Sequence, residues 1–352
     1  MTNLPTVVSV RIIPYGPRDL KEMEPTILLR RRDMLAAGGG LMLAACGSTP
    51  DKAPAAAQDA SSFVYSRQLD KLYEARGIAV TKRDVVMKWP SARKGSLRIR
   101  VTETGSGPPI LLLHGGSGTS AQWLPLMTRL PGYRLIAPDL PGCGLSDPFA
   151  YDGVDMRAFG SAFVAAVMDG AKVKRASMVG NWLGGYWAMC AAIDRPASTE
   201  RVILAGGPAG GTEIPSMSAE DIEARVRETR QPGRPGYVRT MANTQRMPDD
   251  LLSLLDTALQ LPGGEDTWRS VWRSTATNKM TFALRTEMPK LTAPVLLLWG
   301  DQDRVDPPGG GTARAMLAAL PDARASVVAD AGHLVWIDKP DECARQIVQF
   351  LG

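Results

Sequence analysis

The chain has 352 residues, 44% of them hydrophobic and 22% charged, with a net charge of +5. That suits one large α/β domain with an insertion, or two small domains, with ample apolar material for a core. Lys and Arg are spread among acids, without the concentrated basic stripe and aromatics that nucleic-acid binding asks for, so no nucleic-acid partner is expected.

Two histidines, His114 and His333, are too few for a His-rich metal site, and neither a metal nor a cofactor is implied. Cys46, Cys143, Cys190 and Cys343 show no CxxC spacing; Cys190 and Cys343 are expected to be buried free thiols.

Near the N-terminus, Arg30-Arg31-Arg32-Asp33-Met34-Leu35 precedes the apolar, glycine-rich run Ala36 to Ala45 and then Cys46. The order resembles a bacterial twin-arginine export signal ending in a lipobox, Leu43-Ala44-Ala45-Cys46. It implies export to a periplasmic or extracytoplasmic site, with Cys46 acylated and holding the protein to a membrane. The apolar run is too short to span a bilayer and suits a signal h-region. Residues 1–22 lie ahead of a signal that normally opens a chain, so the start is expected at Met23. Residues 1–46 then form the export region, and the Ser/Ala/Pro-rich residues 47–62 a flexible tether.

A short helix is expected over Gln68–Arg76, then a hairpin of strands Val85–Trp89 and Leu97–Val101 turning at Lys94-Gly95. The continuous apolar run Pro109–Leu113 reads as a parallel strand buried on both faces, ending in His114-Gly115-Gly116-Ser117-Gly118. This glycine-rich loop lacks both the Lys-Ser/Thr of a P-loop and GxGxxG spacing. Helix Gln122–Leu130, strand Tyr133–Ala137 and the loop Pro138–Asp147 follow, then a helix over Asp155–Asp169.

Ser177-Met178-Val179-Gly180-Asn181-Trp182-Leu183-Gly184-Gly185 is strand, sharp turn and helix, with glycines two positions either side of Trp182. In a nucleophile elbow, strand and helix pass so closely that the residues at plus and minus two must be small. Shifting the register to Asn181 would put Val179 and Leu183 at those positions, and an amide is no nucleophile. Trp182 therefore occupies the elbow.

A buried strand, Arg201–Ala205, comes next. From 208 to 285 the strand–helix alternation stops, and helical patterns appear at Ala219–Arg230, Asp249–Leu261 and Thr267–Lys279. Trp268, Trp272, Tyr237, Met241 and Phe282 either line a pocket there or, for the Trp268–Trp272 pair at helical spacing, simply pack. The strand Pro294–Trp299 leads to Gly300-Asp301-Gln302-Asp303-Arg304-Val305-Asp306-Pro307, whose acids do not fit a calcium loop because Val305 and Asp306 stand where Asp/Asn and Gly are needed. A helix–strand pair then ends at Asp330-Ala331-Gly332-His333-Leu334, before a closing helix.

Over residues 80–352 these motifs resemble the α/β-hydrolase family, in the order elbow, acid, histidine. The resemblance implies a mostly parallel central sheet flanked by helices. The core would comprise residues 63–207 and 286–352, with a helical cap over 208–285. It implies Asp303 as acid, His333 as base, Gly116 and Leu183 as oxyanion-hole N–H donors, and structural roles for His114, Asp139 and Ser146. The default activity is hydrolysis of a small ester or related acyl substrate.

Here the nucleophile is missing, for indole is only a donor and does not attack esters. Four readings stay open. One is an active serine hydrolase with serine at 182, since TCG and TGG differ by one base. A second is a pseudohydrolase binding a small apolar ligand or a partner at the cell envelope. The others are general-base chemistry by the Asp303–His333 dyad without a covalent intermediate, and attack by another hydroxyl such as Ser117.

Overall fold

The computed structural model describes residues 55–208, 217–277 and 284–352. The twin-arginine pair, the lipobox with Cys46 and Phe282 lie outside them. Helix α1 (Ala55–Ala75) opens the described chain. It is much longer than Gln68–Arg76 and starts inside the segment expected as a tether. The correction has a simple cause: Ala55-Ala56-Ala57 is strong helix former, and composition alone had weighted its Ser and Pro neighbours.

Strands β1 (Val80–Lys88) and β2 (Ser96–Thr104) form the expected hairpin, closed by Trp89 N–H donating to the Gly95 carbonyl at 3.0 Å. Strand β3 (Pro109–Leu113) matches its apolar run. The helix expected over Gln122–Leu130 is instead a 3₁₀ turn, Ser120–Trp123, running into the single-turn helix α2 (Leu124–Met127). Pro125 sits in its first turn, where no N–H is needed, and Pro131 stands just beyond.

Strand β4 (Arg134–Pro138) leads to helix α3 (Met156–Gly170), capped by Asp155, whose carboxylate accepts from the Arg157 and Ala158 N–H groups. Strand β5 (Ala176–Asn181) passes directly into helix α4 (Trp182–Asp194), and β6 (Thr199–Pro208) follows. Helices α5 (Ala219–Thr229), α6 (Asp249–Leu259) and α7 (Gly264–Thr277) lie between β6 and the next strand, β7 (Val295–Gly300). The chain closes with α8 (Gly311–Ala319), β8 (Ala323–Val328), α9 (Val335–Asp338) and α10 (Pro340–Leu351).

The eight strands form one sheet in the order β1-β2-β4-β3-β5-β6-β7-β8. Pairing is antiparallel from β1 through β2 to β4 and parallel from there on. Strand residues alternate between two apolar layers: Leu111, Leu113, Met178 and Leu297 face one, while Ile110, Leu112, Val179 and Leu296 face the other. Helices α3 and α4 cover the first layer through Phe159, Phe163 and Trp187. Helices α1 and α10 cover the second through Tyr65, Leu69 and Ile347. This three-layer build makes the central strands buried on both faces, which is why they read as unbroken apolar runs. Functional loops gather beyond the carboxyl ends of β3, β5, β7 and β8.

Candidate active site

No loop residue separates β5 from α4, so the whole change of direction falls on Trp182, whose φ is +42°. A left-handed backbone in a bulky non-glycine residue is strained and persists only where its surroundings enforce it. They do so by close approach. A Cβ on Gly180 would lie 2.6 Å from the Gly185 Cα, and one on Gly184 would lie 2.2 Å from the Leu113 carbonyl oxygen. The elbow geometry is therefore present, with an indole on it.

The acid and the histidine meet as the sequence suggested. His333 Nδ1 donates to Asp303 Oδ2 at 2.9 Å, with both side chains buried. The other carboxylate oxygen of Asp303 accepts from the Val305 and Asp306 N–H groups, each at 2.8 Å, which fixes the acceptor facing the ring. On the far side of the imidazole, Nε2 lies 3.3 Å from Asn181 Nδ2. That amide nitrogen also donates to the Ala205 carbonyl at 2.7 Å, and a carbonyl can only accept, so the orientation of Asn181 is settled. Nδ1–H of His333 then faces Asp303, and the Nε2 side of the ring is turned to the Asn181 amide. Sequence reasoning considered Asn181 only as a nucleophile; its contact with a residue 152 positions away leaves no local signature.

Three indoles pack together over the elbow. Trp182, Trp268 and Trp272 have ring centroids 5.4–5.5 Å apart, tilted or edge-to-face. At that spacing the rings touch one another and enclose no ligand-sized gap. Trp268 is fixed by its Nε1–H, which donates to Thr229 Oγ1 at 2.5 Å. Its benzene ring lies against Gly116: a Cβ there would fall 1.8 Å from the Trp268 ring carbons Cη2 and Cζ3. Leu183 is the second residue of α4 and so carries one of the helix's first N–H groups, which have no intrahelical partner. Trp268 covers the loop that carries the other candidate donor, Gly116. Met241 and Tyr237 pack in the opposite apolar layer with Leu251 and Trp336, not with the indoles.

The remaining polar residues hold loops in place. His114 is fully buried, accepts from Leu140 N–H at Nε2 and donates from Nδ1 to the Gly115 carbonyl; burial lowers its pKa and keeps it neutral. Asp139 accepts from the Ser120 and Leu145 N–H groups, and Ser146 donates to the Asp139 carbonyl. The Ser117 hydroxyl donates to the Thr229 carbonyl at 3.3 Å, which engages it with α5. Cys190 and Cys343 are buried and unpaired, and burial pushes both thiols up, away from the reactive thiolate.

Asp306 was not singled out from the sequence. Its carboxylate presses against Gly207 on β6, where burial pushes its pKa up to about 6. The charge of Asp303 adds to the rise, while a hydrogen bond with Thr312 and the nearby His333 oppose it.

A family model described as the alpha/beta hydrolase family matches residues 110–346. The chain belongs to the alpha/beta hydrolase family. A 2-hydroxy-6-oxononadienedioate/2-hydroxy-6-oxononatrienedioate hydrolase of Cupriavidus pinatubonensis is 28% identical over 270 residues, covering 72% of this chain and 91% of the relative. Two solved structures share the family fold. A bacterial membrane phospholipase A superposes with a TM-score of 0.64 at 24% identity, covering 84% of this chain and 94% of that one. The naproxen esterase of Bacillus subtilis does so with a TM-score of 0.67 at 18% identity, covering 83% and 98%. This member of the family carries Trp182 at the turn from β5 into α4.

Proposed function

We propose that this chain is a hydrolytically silent member of the family, a pseudohydrolase that keeps the acid–histidine pair and binds a small apolar or acyl ligand without a covalent intermediate. The observation that carries the reading is the elbow: the position that must offer an attacking atom holds an indole packed against two more. Asp303 and His333 would remain as a polar pair beside the ligand, with the Leu183 N–H as a carbonyl-binding donor and that of Gly116 joining it only when the Trp268 ring moves aside. The arginine pair Arg31-Arg32 and the lipobox ending in Cys46 support export and lipid anchoring at the cell envelope.

The test is covalent labelling followed by intact mass. A fluorophosphonate that reacts with serine hydrolases is expected to leave the chain unmodified. Short acyl ligands are expected to shift its tryptophan emission, because three indoles report on this one site. An adduct on Ser117 or on any other hydroxyl of the site would sink the proposal.

A second reading is favoured by the intact dyad. With Nδ1–H held by a doubly anchored Asp303, His333 Nε2 would act as a base towards water or an acidic C–H or O–H that takes the place of the Asn181 amide now facing it. The Cupriavidus relative is a 2-hydroxy-6-oxononadienedioate/2-hydroxy-6-oxononatrienedioate hydrolase, which makes 2-hydroxy-6-oxononadienedioate a suitable trial substrate. Turnover that survives fluorophosphonate and disappears in His333→Ala would establish this reading in place of the silent one.

A further inference from the structure

Positive charge that looks scattered along the sequence is gathered by the fold. Residues 61–100, which form most of α1 and the β1–β2 hairpin, hold ten Lys or Arg against three Asp or Glu, a net +7 that exceeds the +5 of the whole chain. Five of the ten are paired: Arg76 with Asp250, Lys82 with Asp70, Arg83 with Glu103, and Arg98 and Arg100 with Asp84. The other five, Arg67, Lys71, Lys88, Arg93 and Lys94, are exposed and have no ion pair among the described residues.

Exposed apolar side chains accompany them. Phe63 is 66% exposed and Val64 48% exposed on α1, and Val86 is 66% exposed on β1, directly across from Arg98. Phe63, Ser62 and Ser66 share one groove of about 630 Å³ with Asp84, Arg98 and Arg100, so the front of α1 and the outer face of the hairpin form one surface. Along α1, Phe63, Arg67 and Lys71 recur every four residues and share a face. Lysines on an edge strand can simply discourage strand pairing, but that role does not ask for an exposed phenylalanine and two valines among them.

We propose that this face docks onto an anionic lipid surface. Unpaired cations supply the long-range attraction to lipid phosphates and carboxylates, and Phe63, Val64 and Val86 supply apolar area for the headgroup boundary.

The test uses the full chain with Cys46→Ala, so that no acyl group contributes, in flotation with phosphatidylglycerol-containing vesicles. Binding is expected at low salt, with release at high salt and no flotation with phosphatidylcholine alone. Lys88→Glu/Arg93→Glu/Lys94→Glu lowers the affinity at least about a hundredfold, from roughly fivefold per lost cation, and Phe63→Ser lowers it several-fold. An equal charge change elsewhere, Arg227→Glu/Arg285→Glu/Arg324→Glu, leaves it within about twofold; all the sites are exposed, so the variants fold. Flotation of the first triple variant equal to the unmodified surface overturns the proposal. So does binding that ignores lipid charge, or capture of duplex DNA in place of vesicles.

Discussion

Asn181 Nδ2 lies 3.3 Å from Nε2 of His333 while donating to the Ala205 carbonyl at 2.7 Å. The nitrogen that would take a proton from a nucleophile therefore faces an amide from the residue just before the elbow. Asn181→Ala leaves a buried carbonyl and a buried ring nitrogen unpaired, which costs about 2–3 kcal/mol in urea unfolding. Unchanged stability would show that the amide is not satisfying those groups.

The tryptophan cluster should behave as one packed unit. Trp268 is 5% exposed, and Trp268→Ala is expected to cost about 3–5 kcal/mol. In a double-mutant cycle, Trp182→Ala and Trp268→Ala should fall short of additivity, because each removes the other's neighbour. Strict additivity would place the two rings out of contact.

Gly184 tests the elbow. Its missing Cβ would sit 2.2 Å from the Leu113 carbonyl oxygen and 2.5 Å from that of His114, both backbone atoms that cannot step aside cheaply. Gly184→Ala is therefore expected to cost about 3 kcal/mol or fail to fold, whereas the open position Gly309 tolerates alanine. Thermal melts of the two variants side by side separate them.

Asp306 gives stability a pH dependence of known sign. Its folded pKa is raised to about 6, so the contribution is fully present below the unfolded carboxylate pKa and is lost as pH rises through about 6. Asp306→Asn keeps a neutral side chain at every pH. It should stabilise the protein at pH 7.5 by on the order of 2 kcal/mol and hardly at all at pH 4. Equal differences at the two pH values would remove Asp306 from that role.

Much of this was legible in the sequence because it is local or periodic. Pro109–Leu113 matches its strand because a two-sided buried strand is an apolar run, and the Gly180–Gly184 spacing located the elbow because sterics demand it. The three helices between β6 and β7 showed their 3.6-residue patterns. What stayed hidden depends on contacts between distant residues. The hydrogen bond from Asn181 to His333, the Trp268 ring over Gly116 and the pressure of Gly207 on Asp306 have no periodicity to read. The early start of α1 was missed because alanine suits both a linker and a helix.

Hydrolysis of a short activated ester by the native chain, Trp182→Ser and Trp182→Ser/Trp268→Ala measures the central claim most directly. The account predicts no turnover by the native chain and slow turnover with serine alone, since Trp268 still covers Gly116. Removing that ring as well should raise the rate about a hundredfold, the scale of regaining one oxyanion donor. Turnover by the native chain that is lost in His333→Ala would contradict it.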